Sequence, residues 1–329
     1  MTSHYAPLLA ALVTLLLITL LRLSKTGKDI QDIPNERSLH ATPVPRIGGI
    51  GLMAGMLSGW LLMFRSLTWW VVLPVLLLVA ISLLDDMRGL TARVRFAVHF
   101  IAALVLLAGS GMLQQNFPLA LIVLFGVVWM TNLYNFMDGS DGLAGGMAFW
   151  GFSAYGIAAL MAGDQAQAML NFSIGAAALA FLYYNFYPAR VFMGDAGSIP
   201  LGFLAGAMGL WGWQQQLWPA WFPLLVFSPF VVDASVTLFR RLLRGEKVWR
   251  AHREHYYQRL VQIGWGHART ALFEYGLMLA AGASAVWAVQ RLPVTPWPLF
   301  LAWGLLYAML MLALDWRWKL FRRGQHGRA

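Results

Sequence analysis

The stretch "TNLYNFMDGSDGLAGGMAFW", residues 131–150, decides how this chain folds. Apolar runs lie on both sides of it. Between them Asn132, Asn135, Asp138 and Asp141 recur at three-residue spacing, punctuated by Gly139, Gly142, Gly145 and Gly146. The first three of these polar residues share one helical face. Gly139 then lets the chain turn, and its bare amides suit close approach to a phosphate. A plain helix–turn–helix joint would explain the pattern equally well in a soluble protein. At a membrane boundary, irregular polar backbone normally lines a cavity.

The composition makes it a membrane boundary. Of 329 residues, 59% are hydrophobic and only 12% charged, against about 25% charged in soluble domains. Runs of roughly 17–23 apolar residues suffice to cross a bilayer as helices. Eleven are expected, at approximately 5–23, 47–64, 68–84, 95–112, 117–133, 143–162, 168–184, 198–213, 219–239, 272–290 and 297–314. The expected fold is therefore an all-α integral membrane protein, a single polytopic domain over 1–329. The first run lacks a preceding basic residue and a following cleavage pattern, so it reads as a retained helix. With no cysteine there is no disulfide framework.

Of 24 lysines and arginines, 22 fall in the loops after odd-numbered runs or in the C-terminal tail; the other face keeps Arg65 and Arg291. This asymmetry predicts an outside N-terminus, a cytoplasmic C-terminus and a site on cytoplasmic loops. The net charge of +10 is mostly this orientation signal, and it also suits anionic lipid or phosphate. The reading includes no nucleic-acid partner.

The acids are as unevenly placed as the bases. Only Asp164 is expected outside, whereas Asp85 and Asp86 ("LLDDMRGL"), Asp138 and Asp141, and Asp195 ("VFMGDAGS") end apolar helices on the inner face. A carboxylate at mid-membrane costs about 2.5–3.5 kcal/mol on insertion scales, so such groups are usually functional. Oxygen-only donors suit a hard cation, most simply Mg²⁺, with Mn²⁺ also compatible. Zinc is disfavoured without cysteine and with the histidines elsewhere. His252, His255 and Arg259, in "RAHREHYYQRL", fall at i, i+3 and i+7, one stripe if the segment is a helix, and such donors can hold phosphate oxygens. Asp233, in "PFVVDASV", is either a supporting partner of the site or the mate of a nearby arginine.

In order, "PNERSLHATPVPRIGG", "DDMRGL", "NLYNFMDGSDGLAGG", "NFYPARVFMGDAGS" and "HREHYYQRL" resemble the motifs of the polyprenyl-phosphate N-acetylhexosamine-1-phosphate transferase superfamily, glycosyltransferase family 4. The resemblance spans about residues 34–260. It implies attack by undecaprenyl phosphate on the β-phosphorus of a UDP-N-acetylamino sugar, releasing UMP. It implies Asp195 as principal Mg²⁺ ligand and Asn135 on the metal or diphosphate. Asp138 and Asp141 would lie beside metal and nucleotide. Asp85, with Asp86 beside it, would deprotonate or orient the lipid phosphate. Asn185 and Phe192 would hold the uracil, and His252, His255 and Arg259 would face diphosphate or sugar. Arg46 and His40 would meet phosphate.

"HREH" in place of three consecutive histidines is similar to the branch that initiates O-antigen and other surface polysaccharides, rather than to phospho-muramoyl-pentapeptide transferases. The expected location is the bacterial cytoplasmic (inner) membrane. The sugar stays open, as do a homodimer and the choice between direct displacement and a phospho-aspartate. A transporter of lipid-linked substrates is the rival class. Its acids belong at the midplane between inverted repeats, and here they gather at one face. A CDP-alcohol phosphotransferase needs an arginine that "DGLAGG" lacks.

Overall fold

The computed structural model describes residues 2–25, 30–34, 42–247, 252–291 and 296–326. His40 lies outside the described residues. The chain is a helical bundle: α1 Ala6–Leu23, α2 Gly48–Leu61, α3 Trp69–Arg88, α4 Ala92–Gly109, α5 Phe117–Phe136, α6 Leu143–Met161, α7 Gln165–Asn185, α8 Asp195–Gln214, α9 Phe222–Val226, α10 Ser228–Leu243, α11 Tyr256–Leu260, α12 Gly266–Arg291 and α13 Trp297–His326. A two-residue antiparallel ladder joins β1 (Gln31–Asp32) to β2 (Val44–Pro45) ahead of α2.

Local chemistry places the helix ends. Asn116 and Asp164 accept the Leu119 and Gln167 amides at 3.1 and 2.9 Å, capping α5 and α7, as short polar side chains do for otherwise orphaned N–H groups. Helix α6 lies against α7, α1 against α2 and α7, and α8 against α5 and α3. Alanine and glycine crowd these seams, which allows the close backbone approach typical of helices packed in lipid. The lipid-facing side of α1 is as regular as its seam: Leu8, Leu12, Leu16 and Leu20 are all exposed.

Every expected apolar run is helical, but the count of full spans changes. Among the described residues, eight helices are long and apolar enough to cross a membrane, with α11–α12 counted as one. Helix α2 has only 14 residues, about 21 Å against a hydrocarbon core of about 30 Å. The expected 219–239 span is broken into α9 and α10 at Phe227, with Pro223 and Pro229 opening the two pieces. Proline fits a first helical turn and cannot continue a helix already running. Helix α8 runs the full 20 residues, but its serine, glycines and proline keep it below the hydropathy of the others, and its core position compensates.

The ends of α3, α5 and α7 and the starts of α4, α6 and α8 meet at one end of the bundle, with α11 beside them. Arg65, Asp164 and Arg291 lie at helix ends of the opposite sense. Charge asymmetry gives an expectation for which end faces inward. In intact cells, a cysteine replacing Arg65 should react with a membrane-impermeant thiol reagent, and one replacing Arg88 should react only after permeabilisation. The reverse pattern would invert the topology.

Candidate active site

The acids at this end come from four separate segments. Asp86, its side chain only 4% exposed, accepts the backbone amides of Asp195 and Ala196 at 3.3 and 3.1 Å. It thereby holds the N-terminus of α8, where the helix presents positive partial charge. Asp85 accepts the Leu90 amide at 2.5 Å and an Arg95 Nη1 bond at 3.1 Å. The same Nη1 reaches Asp195 at 3.4 Å. The Asp85 and Asp195 carboxyls thus share one guanidinium nitrogen. Arg46 pairs with Asp32 at 2.5 Å and lies 4.0 Å from Asp86; the β1–β2 ladder sets that pairing. Gly194 has φ +71°, and a Cβ there would come within 3.0 Å of Asp86, so the turn into α8 requires glycine.

Asp138 sits just past the end of α5. Burial pushes its carboxyl well above the usual carboxylate range, and the charges of Asp195 and then Asp86 push it the same way. Among the described residues nothing donates a hydrogen bond to it. Asn135, one turn earlier, accepts the Ser198 hydroxyl at 3.0 Å. The Tyr257 hydroxyl fills the space that a Cβ at Gly139 would need, so the glycine here serves close approach.

Asn132, first on the predicted face, turns inward and bonds the Val128 carbonyl at 2.7 Å.

The other half of the turn is tied to the 185–192 segment. Asn185 accepts the Gly142 amide and donates to the Val191 carbonyl, both at 3.0 Å. Asp141 accepts the Ala189 amide at 2.9 Å and lies 3.7 Å from His267. His267 also meets Ser140 at 2.9 Å and stacks on Tyr187. Asn185 and Asp141 therefore brace the walls of the site with most of their polar atoms. Phe192 is half-buried, and its backbone bonds Pro45 and Gly48 at 2.8 and 2.9 Å.

The basic segment departs from the expected helical stripe. His252 and His255 precede α11 instead of lying on it, because His255 caps the helix in a reciprocal pair with Gln258. The His255 ring faces Asp233 at 3.3 Å, and Asp233 also accepts the Tyr256 and Tyr257 amides at 2.9 and 3.0 Å. Of the two readings left open for Asp233, the structure shows a support of the histidine segment. Arg259 is buried and bonded to Asp315 at 2.8 Å, so its guanidinium points to a carboxylate of α13. Burial, then the neighbouring charges of His255 and Arg241, hold His252 down at about 4. Its ring is neutral at physiological pH. Nδ1 accepts the Glu254 amide at 3.2 Å, which leaves Nε2–H to donate.

The donor set fits a hard cation. Asp85, Asp86, Asp138 and Asp195 outnumber Arg46 and Arg95, and Asp138 has no donor among the described residues. No three such groups among the described residues close on a point as a finished cage. Mg²⁺ needs none, because it takes few protein ligands and completes its shell with water and substrate phosphate. Asp195 and Asp138, with the Asn135 carbonyl, are residues that could hold it.

The structure thus gathers Asp85, Asp86, Asn135, Asp138, Asp195 and Arg46. It puts Asp141, Asn185, His255 and Arg259 into bracing contacts. Sequence reasoning missed Arg95, Ser198, His267 and Asp315. Arg95 carried a faint signal, ten residues after Asp85 in the first turn of the next helix, but Arg88 and Arg93 compete with it on sequence alone.

Comparison with known proteins identifies the family. The family model described as glycosyl transferase family 4 matches residues 68–212. A probable undecaprenyl-phosphate N-acetylglucosaminyl 1-phosphate transferase of Bacillus subtilis is 30% identical over 274 residues, covering 78% of this chain and 76% of its own. A phospho-N-acetylmuramoyl-pentapeptide-transferase of Moorella thermoacetica is 30% identical, covering 82% of this chain and 93% of its own. An undecaprenyl-phosphate alpha-N-acetylglucosaminyl 1-phosphate transferase of Yersinia pestis is 25% identical, covering 88% and 86%.

Proposed function

Because the chain belongs to the polyprenyl-phosphate N-acetylhexosamine-1-phosphate transferase superfamily, glycosyl transferase family 4, we propose that it moves a HexNAc 1-phosphate from a UDP-N-acetylamino sugar to undecaprenyl phosphate. The products are undecaprenyl-diphospho-HexNAc and UMP. We assign this to the first membrane step of O-antigen or another surface polysaccharide, in the cytoplasmic membrane of a bacterium. The observation that carries the reading is the meeting of Asp85, Asp86, Asp138 and Asp195 with Arg46 and Arg95 at one end of the bundle.

In this reaction an oxygen of the lipid phosphate bonds to the β-phosphorus. The bond from that phosphorus to the oxygen bridging the α-phosphate breaks, and its electron pair leaves on UMP. The nucleophile is already anionic, so the obstacle is the meeting of two anions, which charge and positioning relieve. Asp195, Asp138 and Asn135 would hold Mg²⁺, which would supply Lewis-acid charge neutralisation on the phosphoryl oxygens. Arg95, between Asp85 and Asp195, receives the lipid phosphate, and Asp85 orients it. The His252 Nε2–H donates to the sugar-phosphate side. Asp141 and Asn185 fix the wall against which the nucleotide lies.

A second reading, transfer of a phospho-muramoyl-pentapeptide, has the Moorella relative in its favour; "HREH" speaks for the first. A panel of UDP-GlcNAc, other UDP-N-acetylamino sugars and UDP-muramoyl-pentapeptide, each with undecaprenyl phosphate, separates them. Lipid-linked product is expected from a simple UDP-N-acetylamino sugar. Product from the pentapeptide donor alone would reverse the choice.

A further inference from the structure

Helix α13 is 30 residues long, about 45 Å, which exceeds the hydrocarbon core by about 15 Å. Leu301, Leu305, Met309, Leu312 and Leu320 along it are exposed, while Trp303 and Tyr307 are buried, Tyr307 against the Ser228 hydroxyl at 2.7 Å. Its charged attachment lies beside the site. Asp315 accepts Arg240 Nη1 at 2.5 Å and Arg259 Nη1 at 2.8 Å. The Tyr256 hydroxyl lies 3.4 Å from both Asp315 oxygens and bonds Arg240. The Arg259 guanidinium lies over the Tyr256 ring at 4.9 Å and the Trp318 ring at 5.8 Å. One carboxylate thus joins α10, α11 and α13.

What it joins matters for the site. On the other side of α11, Asp233 holds the Tyr256 and Tyr257 amides. The Tyr257 hydroxyl donates to the Phe136 carbonyl at 3.1 Å, next to the Asp138 turn. Without the Asp315 charge, two guanidiniums sit on the Tyr256 ring with no carboxylate shared between them. Arg259, whose side chain is 7% exposed, would keep only the longer contact to Glu254 at 3.9 Å, too little for a buried cation.

We infer that Asp315 is a positioning residue: through Arg259, Arg240 and Tyr256 it holds the His252–Tyr257 segment against the Asp138 turn, and so sets the affinity for the nucleotide sugar. This rests on the transfer reading above for its effect on substrate, but not for its effect on the segment. The lipid-phosphate side stands apart, because Asp85 and Arg95 lie on α3 and α4, away from α13.

The chain's lack of cysteine permits a test on both levels. Leu260, 2% exposed, is replaced by cysteine, and the thiol labelling rate is compared with and without Asp315→Asn. Ser173→Cys, fully buried in α7, serves as the control for global unfolding. Asp315→Asn should raise labelling at 260 about tenfold and leave 173 protected. With native Leu260, it should raise the UDP-sugar KM about tenfold, with kcat and the lipid-phosphate KM within about twofold. Asp315→Glu should restore most of both effects.

Unchanged labelling at 260 would overturn the inference whatever the enzyme does. Faster labelling with an unchanged nucleotide-sugar KM, in a protein whose wild type turns over, would overturn it as well. A wild type that releases no UMP would sink the transfer reading instead, and labelling would still decide whether Asp315 holds the segment.

Discussion

Asp195→Asn should lower the rate of sugar-phosphate transfer by at least about 10²-fold, the order expected when one preorganised electrostatic contact to a transition state is lost. The substitution keeps size and shape, and the backbone amide at 195 still reaches Asp86, so the start of α8 should be unchanged. What disappears is a charge facing Asp138, Asp85 and Asp86. If these acids only balanced Arg95, removing one would relieve crowding and activity would hold. If they gather a cation, the variant should need more Mg²⁺, and added Mg²⁺ should recover part of the loss. Initial rates of UMP release across a Mg²⁺ titration provide the check. Near-normal turnover at ordinary Mg²⁺ would reject Asp195 as a ligand.

Arg95→Ala should cost about 10²-fold in kcat/KM for the lipid phosphate. Its guanidinium is the one cation seen to contact both Asp85 and Asp195 among the described residues. At 37% side-chain exposure it can still move to meet a substrate. Exposed Val94 and Phe96 flank it on α4, so a lipid chain can lie beside it with its phosphate at the guanidinium. Arg95→Lys should recover part of the loss, because an ammonium keeps the charge but not the planar fork that spans two acceptors. The nucleotide-sugar KM should change far less than that of the lipid. An unchanged kcat/KM for the lipid phosphate would make Arg95 only a counter-ion to resting carboxylates.

The parts legible in the sequence were those where one residue has a high cost in its local setting. Asp85, Asp86, Asp138 and Asp195 stood out because charge beside hydrocarbon is expensive and rarely idle. The order and positions of the apolar helices followed from run length. Pro223 and Pro229 already marked the break in 219–239, but a count of apolar residues passes over them.

Partners distant in the chain left no local trace. Asn185 gives its amide to backbone at 142 and 191, and Arg259 is taken up by Asp315, 56 residues away. A three-residue spacing of His252 and His255 looks helical until the cap at His255 shows where α11 starts. For Asp233 two readings stood open, and only the fold supplied the two amides and the His255 ring it holds in place.

The most direct test of the whole account is UMP release by the purified protein from UDP-GlcNAc or a related UDP-N-acetylamino sugar, with and without undecaprenyl phosphate. The account predicts that UMP appears only when the lipid phosphate is present, in step with a lipid-linked sugar diphosphate, and that EDTA stops both. Nucleotide left intact across the donor panel, or UMP formed equally well without the lipid phosphate, would contradict it.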